Sequence, residues 1–201
     1  MNNEYYLYGL QRSGTNYLRK LIELNFNYYT RNKKSPRSWK HRLDVPDIAK
    51  DHINIVLYKN PYKWIESLYR NPEDFFEKQT KFHCLNEDGS YNLTAIAKTY
   101  KHFIETWVFS DVSSLNIRYE DLLENKSQVL TSISNLFNVH ATIDNIIEPG
   151  TVLNSKKFTE DKKEYYLKDN DLKFLTKKEL AEVNETLDSD FMTKLNYEKL
   201  K

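Results

Sequence analysis

Cysteine occurs once in the 201 residues, at Cys84, so no disulfide can close within the chain and the fold must stand on packing alone. Glycine is nearly as scarce, at four, and the five prolines do not cluster. Flexible Gly/Ser linkers, collagen-like repeats and Pro-rich recognition tracts are thereby excluded. An excess of charge of one sign is missing too, because 30 Lys and Arg oppose 29 Asp and Glu for a formal net charge of +1. A protein that coats nucleic acid or an anionic membrane needs a surplus of cations, so neither is an expected partner and anion recognition must be local. No apolar run approaches the roughly 20 residues of a membrane span. The first strand begins by about residue 5, which leaves no room for the charged start and apolar core of a signal peptide. A cytoplasmic protein in a reducing compartment is expected, and the Asn-X-Ser/Thr triplets at Asn92, Asn125 and Asn184 then carry no glycosylation meaning.

What is present suffices for one core and not for two, so a single domain over residues 1–201 is expected. Residues 4–18 dominate the reading. Tyr5 to Tyr8 are aromatic or aliphatic with strong β preference, Gly9 to Gly14 carry a tight loop, and Leu18, Leu21 and Ile22 recur at helical spacing. A strand, a loop and a helix opening in that order point backbone N–H groups and the positive helix end at one spot, the outline of a phosphate or sulfate cradle.

Further along, residues 27–31 suggest a short strand, and Arg31, Lys33, Lys34, Arg37, Lys40 and Arg42 form a basic stretch with no acidic residue. Most of these side chains read as solvated; Lys40 and His41, after Trp39, stand where a short strand would end. Ile53 to Tyr58 is an apolar run of strand length, followed by Asn60 as a cap and Pro61 at the first helical position. The helix continues through Trp64, Ile65 and Leu68 to about Asn71. Residues 72–90 read as an irregular candidate lid. Asn92 caps a long helix with an apolar stripe of Ile96, Tyr100, Phe103 and Trp107, and Leu115 to Tyr119 is a third strand leading into a helix through Val129, Ile133 and Phe137. Residues 140–170 give no assignable pattern. Helices are expected over residues 176–187 and 195–200. Strands alternating with helices predict a three-layer α/β/α architecture with a mostly parallel sheet.

The loop meets the Gly-x4-Gly spacing of a nucleotide P-loop and then departs from it. Thr15 and Asn16 stand where an ATP site needs its phosphate lysine and its magnesium-binding hydroxyl, which argues against kinase chemistry while leaving a phosphate cradle. His52, His83, His102 and His140 have no companions at metal-ligand spacing, and His83 beside Cys84 makes no zinc pattern.

Arg12-Ser13-Gly14-Thr15-Asn16-Tyr17-Leu18 resembles the 5′-phosphosulfate loop of sulfotransferases that use 3′-phosphoadenosine 5′-phosphosulfate (PAPS). Lys59-Asn60-Pro61, with Ser67 eight positions after Lys59, is similar to the 3′-phosphate motif of that family, which usually has arginine where Lys59 stands; the charge is kept and the bidentate geometry is not. Arg118-Tyr119-Glu120-Asp121-Leu122 resembles the family's Tyr-Glu-Asp element, and Leu187 to Tyr197 its terminal helix, with Asn196 in place of glycine. The resemblance implies a P-loop NTPase-like sulfotransferase fold and an enzyme moving a sulfuryl group from PAPS, without a metal, to a hydroxyl or amine of an acceptor, with a carbohydrate as the preferred class. It implies that Arg12, Ser13, Gly14, Thr15 and Asn16 hold the phosphosulfate, Lys59 and Ser67 the 3′-phosphate, and that Tyr17 and Tyr119 meet the adenine. Arg12 and Lys40 would steady the transition state, and His41 would take the acceptor's proton, with Glu23, Asp44 or Glu66 as carboxylate alternatives. Lys40 and His41 are adjacent here, without the intervening residue of the family's Lys-Thr-His, and a strand would send them to opposite faces. A P-loop kinase of a small metabolite and an inactive nucleotide- or glycan-binding relative are the rival readings.

Overall fold

The computed structural model describes residues 3–32, 39–70, 84–139, 145–150, 159–168 and 172–200. Four strands, β1 (Glu4–Tyr8), β2 (Tyr29–Thr30), β3 (Asn54–Tyr58) and β4 (Leu115–Arg118), form a sheet in the order β2-β1-β3-β4. Each pairing is parallel, with Tyr8 opposite Val56 and Tyr58 opposite Arg118. The two-residue alternation of a strand sends Tyr6, Tyr8 and Val56 into one core and Tyr5, Leu7, Ile55 and Leu57 into the other. With both faces buried, the strands read as unbroken apolar runs, as a parallel sheet requires.

Helices α1 (Thr15–Phe26), α4 (Tyr119–Glu124) and α5 (Lys126–Phe137) cover the second face. Helices α2 (Pro61–Tyr69), α3 (Leu93–Trp107), α7 (Lys177–Thr186) and α8 (Ser189–Lys194) cover the first. The chain is therefore α/β, three layers deep, and the expected apolar stripe of α3 is buried at Ile96, Tyr100, Phe103 and Trp107.

Local chemistry explains the boundaries. The Asn60 side chain accepts from the N–H groups of Tyr62 and Lys63 at 3.0 and 3.3 Å, and the Asn92 side chain from Ala95 N at 2.9 Å. Thr176 and Glu179 form a reciprocal capping box at the start of α7. Strand order reverses about β1, since β1 runs on to β2 at one side and β3 lies at the other. The carboxyl ends of β1 and β3 thus flank the crevice in which open parallel sheets hold ligands.

Three expectations are corrected. The segment at Lys40 and His41 is a turn, not a strand end. The single helix expected after β4 is two, α4 and α5, parted at Asn125, whose φ of −118° and ψ of 44° leave helical space. Residues 195–200 are not helical: α8 ends at Lys194, and the tail runs on with the Leu200 carbonyl accepting from the Asn184 side chain at 2.8 Å. A further helix, α6 (Glu160–Leu167), lies within the stretch that gave no pattern. Of the candidate lid, residues 71–83 lie outside the described residues.

Candidate functional site

The β1–α1 loop is built on two crowded glycines. A Cβ at Gly9 would stand 2.6 Å from the Leu57 carbonyl oxygen and 2.7 Å from Ser13 Oγ. At Gly14 the φ of 95° favours glycine, and a Cβ would lie 2.6 Å from Cδ2 of the Tyr119 ring. Arg12, between them, also takes a left-handed φ of 67°. The loop is pinned from within by Ser13, whose N–H and hydroxyl both donate to the Leu10 carbonyl at 3.1 and 2.6 Å. From below, the Trp64 indole donates to the Gln11 carbonyl at 2.7 Å. Gly14 caps α1 without a side chain, and the first turn holds no acidic residue. The N–H groups of Thr15 and Asn16 have no acceptor within their own helix, which is the property that lets a helix start receive an anion.

The turn at Lys40 and His41 lies along this loop. Gly9 N donates to the Lys40 carbonyl at 3.0 Å, and Lys40 Nζ donates to Asn16 Oδ1 at 2.6 Å. His41, buried and edge-on to Trp39 with ring centres 5.4 Å apart, places Nδ1 2.6 Å from the Gly9 carbonyl. A carbonyl only accepts, so Nδ1 carries the proton, and in the neutral ring Nε2 is the basic nitrogen. Because the backbone turns here, both neighbours reach one loop. Burial, and then the charge of Arg19, bring Lys40 down to about 8.

The β3–α2 turn supplies the second half. Lys59 is 1% exposed, and its Nζ donates to Ser67 Oγ at 3.2 Å while the Ser67 hydroxyl donates to the Trp64 carbonyl at 2.6 Å. The Tyr100 hydroxyl donates to the Lys59 carbonyl at 2.6 Å, and Asn60 N to Glu120 Oε1 at 2.9 Å. The other Glu120 oxygen accepts from Tyr197 at 2.7 Å, which ties the turn to the tail of the chain. Burial holds the Glu120 carboxyl above its ordinary range even so. Burial also lowers Lys59 to about 7; Glu120 pulls it up, while Arg70 and Arg12 push it further down. Lys59 on one loop and Arg12 on the other therefore feel each other's charge. Leu10 and Ser13 of the first loop and Tyr58, Lys59 and Trp64 of the second close on one another around a gap too small to hold a water molecule.

Tyr119 is buried, with its ring against Gly14 and edge-on to Tyr166 of α6 at 5.2 Å. Tyr17 is buried in the core between α1 and the sheet, where its hydroxyl donates to Glu148 at 3.0 Å. The nine residues singled out from the sequence for cofactor binding thus fall at the loops closing β1, β3 and β4 and on the helices that follow them, with Tyr17 turned into the core. Among the carboxylate alternatives, Glu66 is fully buried and accepts from Tyr165, from Lys173 N and, at 2.7 Å, from Phe174 N. Asp44 pairs with Arg42 and Glu23 with Arg19 at 3.9 Å. His52 donates through Nδ1 to the Ile48 carbonyl at 2.8 Å and meets Arg31 at 2.7 Å. His83 and His140 lie outside the described residues.

Sequence reasoning missed the aromatic cover over Lys59. Tyr166 lies under its ammonium at 4.8 Å, Lys63 Nζ stands 4.2 Å from the Tyr165 ring centre, and the Arg70 guanidinium stacks on that same ring at 4.5 Å. No spacing signal marks these residues; only the pairing of Tyr165 with Tyr166 in a charged stretch hints at them.

Fold and site together define an α/β protein with two strand-to-helix loops, rich in donors and cations, side by side at the carboxyl edge of a parallel sheet. No protein-family model matches the sequence, and a search of curated proteins finds no match. Among the described residues no group of His, Cys, Asp or Glu is arranged to hold a metal ion, and no helix is long and apolar enough to cross a membrane.

Proposed function

We propose that the protein is a PAPS-dependent sulfotransferase acting on a hydroxyl or amine of an acceptor, with a carbohydrate as the preferred class. Lys59 carries the proposal: a lysine 1% exposed, bonded to the serine eight residues on and sensing the charge of Arg12 on the neighbouring loop. Burial disfavours its ammonium and a bound phosphate favours it, so a lysine kept in this place suits an anionic ligand. PAPS brings one anionic group at each end of its ribose, and the crevice has one cationic loop for each.

PAPS supplies a sulfuryl group on a phosphate leaving group. Arg12, Ser13, Gly14, Thr15 and Asn16 hold the phosphosulfate, Lys59 and Ser67 hold the 3′-phosphate, and Tyr119 stands at the adenine end. Lys40, kept beside Asn16, and Arg12 stabilise the charge that develops on the leaving phosphate and the transferring oxygens. As the acceptor oxygen bonds to sulfur and the sulfur–oxygen bond to the 5′-phosphate breaks, His41 Nε2 takes the acceptor's proton. The hydrogen bond from Nδ1 to the Gly9 carbonyl fixes the tautomer that this requires. Thr15 in place of the P-loop lysine and Asn16 in place of the hydroxyl count against Mg-ATP as the donor.

Calorimetry with 3′-phosphoadenosine 5′-phosphate in the absence of magnesium tests the nucleotide half, and binding at micromolar concentration is expected. Transfer from labelled PAPS to a panel of sugars, phenols and amines tests the chemistry. No nucleotide binding, or stronger stabilisation of the fold by Mg-ATP, overturns the reading; binding with no acceptor labelled favours a nucleotide-binding relative without activity.

A further inference from the structure

Resting on the reading above, we infer that Arg70 makes the site selective for a nucleotide bearing a 3′-phosphate, supplying the planar two-point recognition that Lys59 cannot give. An ammonium is a compact point charge, whereas a guanidinium presents paired N–H donors in a plane that matches two phosphate oxygens. Lys59 therefore fixes charge at the site and leaves orientation to another group.

Helix α2 and its C-cap residue Arg70, which keeps helical backbone angles, place Lys63, Ser67 and Arg70 at i, i+4 and i+7, on one face. That face meets α6. The Arg70 guanidinium lies 4.5 Å from the Tyr165 ring centre, 5.9 Å from that of Tyr166 and 6.0 Å from that of Phe174. Lys59 Nζ stands 4.8 Å from the same Tyr166 ring, so Lys59 and Arg70 share one aromatic neighbour. The platform is itself fixed: Glu66 accepts from the Tyr165 hydroxyl and from the backbone of Lys173 and Phe174. Lys173 Nζ adds a further cation 5.4 Å from the Tyr165 ring centre.

Among the described residues, no carboxylate forms an ion pair with Lys59, Arg70 or Lys173. Glu66, the carboxylate nearest the platform, is engaged by one hydroxyl and two backbone N–H groups. Lys59 feels Glu120 only through a longer-range attraction, and cations gathered around a pair of rings suit an incoming dianion. The Ser67 hydroxyl donates to the Trp64 carbonyl in the free protein, so it must turn from that bond to help Lys59 hold the phosphate. Arg70 brings directional donors of its own, and it is exposed and can be met by a ligand from solvent.

The experiment measures binding of two nucleotides, 3′-phosphoadenosine 5′-phosphate and adenosine 5′-phosphate, to the wild type, Arg70→Gln and Arg70→Lys, with thermal melting as the check that each variant is folded. Arg70→Gln should bind the bisphosphate about tenfold to hundredfold more weakly and the monophosphate unchanged, the loss expected for a charged hydrogen-bond pair. Arg70→Lys should recover only part of that loss. Equal weakening for both nucleotides reveals a structural role and overturns the assignment, as does a selectivity ratio that does not move. A wild type that prefers the bisphosphate while the variants keep that preference sinks Arg70 alone, whereas a wild type that binds neither nucleotide sinks the sulfotransferase reading with it.

Discussion

Raising the pH from about 7.5 to about 9 should weaken binding of 3′-phosphoadenosine 5′-phosphate by about twentyfold through Lys59 alone. Burial holds Lys59 at about 7 in the free protein, whereas a phosphate bound against it favours the ammonium. Above pH 7 each nucleotide therefore brings a proton with it. About a quarter of Lys59 is protonated at pH 7.5 and about a hundredth at pH 9, and the ratio of those fractions is the expected loss of affinity. The nucleotide's own phosphates lose their second proton near pH 6 and change little over this window. Folding responds in the opposite sense. The unfolded lysine binds a proton that the folded one refuses between pH 7 and its ordinary value, so the free fold gains stability as pH rises toward 9. Buried tyrosines such as Tyr100 and Tyr197, with raised pKa values, reverse that trend only near pH 10, where the unfolded phenols ionise. Calorimetry in two buffers of different ionisation heat counts the protons: through Lys59, nearly one taken up per nucleotide at pH 8.5 and about half at pH 7. Lys59→Met should abolish most of the uptake. Lys40, brought down to about 8, adds a second, smaller contribution that Lys40→Gln removes. An affinity that stays flat from pH 7.5 to 9, or full proton uptake in Lys59→Met, refutes the reasoning.

Three more outcomes are expected. Gly14→Ala must hold a left-handed φ of 95° and push a methyl against the Tyr119 ring, so the denaturant midpoint should fall by the equivalent of about 1–3 kcal/mol, with partial recovery in Gly14→Ala/Tyr119→Ala; an unchanged midpoint would show that the loop does not take this shape. His41→Ala should lower the transfer rate about 100-fold to 10,000-fold while nucleotide affinity stays within about threefold, and a transfer rate close to wild type removes His41 from the chemistry. Tyr197→Phe strips the buried Glu120 of one donor and should cost about 1–2 kcal/mol in urea unfolding; a loss well under that would mean the bond between tail and β3–α2 turn contributes nothing.

Much of this fold was legible because its local signals agree with one another. β1 and β3 are short apolar runs ended by residues that cannot extend them, Gly9 in one case and Asn60-Pro61 in the other. The caps at Asn60 and Asn92 act through the side-chain acceptors their residue types imply. The crevice was legible for the same reason, since each loop follows a parallel strand and both open at the same edge of the sheet. The adjacency of Lys40 and His41 was harder. On a strand the two would face opposite ways, and nothing in Trp39-Lys40-His41-Arg42 announces a turn. The turn is held by a partner 31 positions back, Gly9, whose N–H meets the Lys40 carbonyl and whose carbonyl meets His41. Contacts of that separation leave no trace in a local pattern.

Helix α6 shows the same limit in stronger form. Its residues run Glu160-Asp161-Lys162-Lys163-Glu164-Tyr165-Tyr166-Leu167, with no apolar period that could mark a helical face. It is held through two rings and a phenol: Tyr166 under Lys59 and against Tyr119, Tyr165 under Lys63 and Arg70 with its hydroxyl on Glu66. Every one of those partners belongs to β4's following helix, the β3–α2 turn, α2 or its C-cap, from 47 to 107 positions away. A cation against a ring face is worth about 0.5–2 kcal/mol, so three or four together can seat a helix of eight residues that buries few aliphatic side chains. What specifies α6 is therefore the charge pattern of α2, where Lys63, Glu66 and Arg70 look like an ordinary solvated face until the rings that cover them are in place.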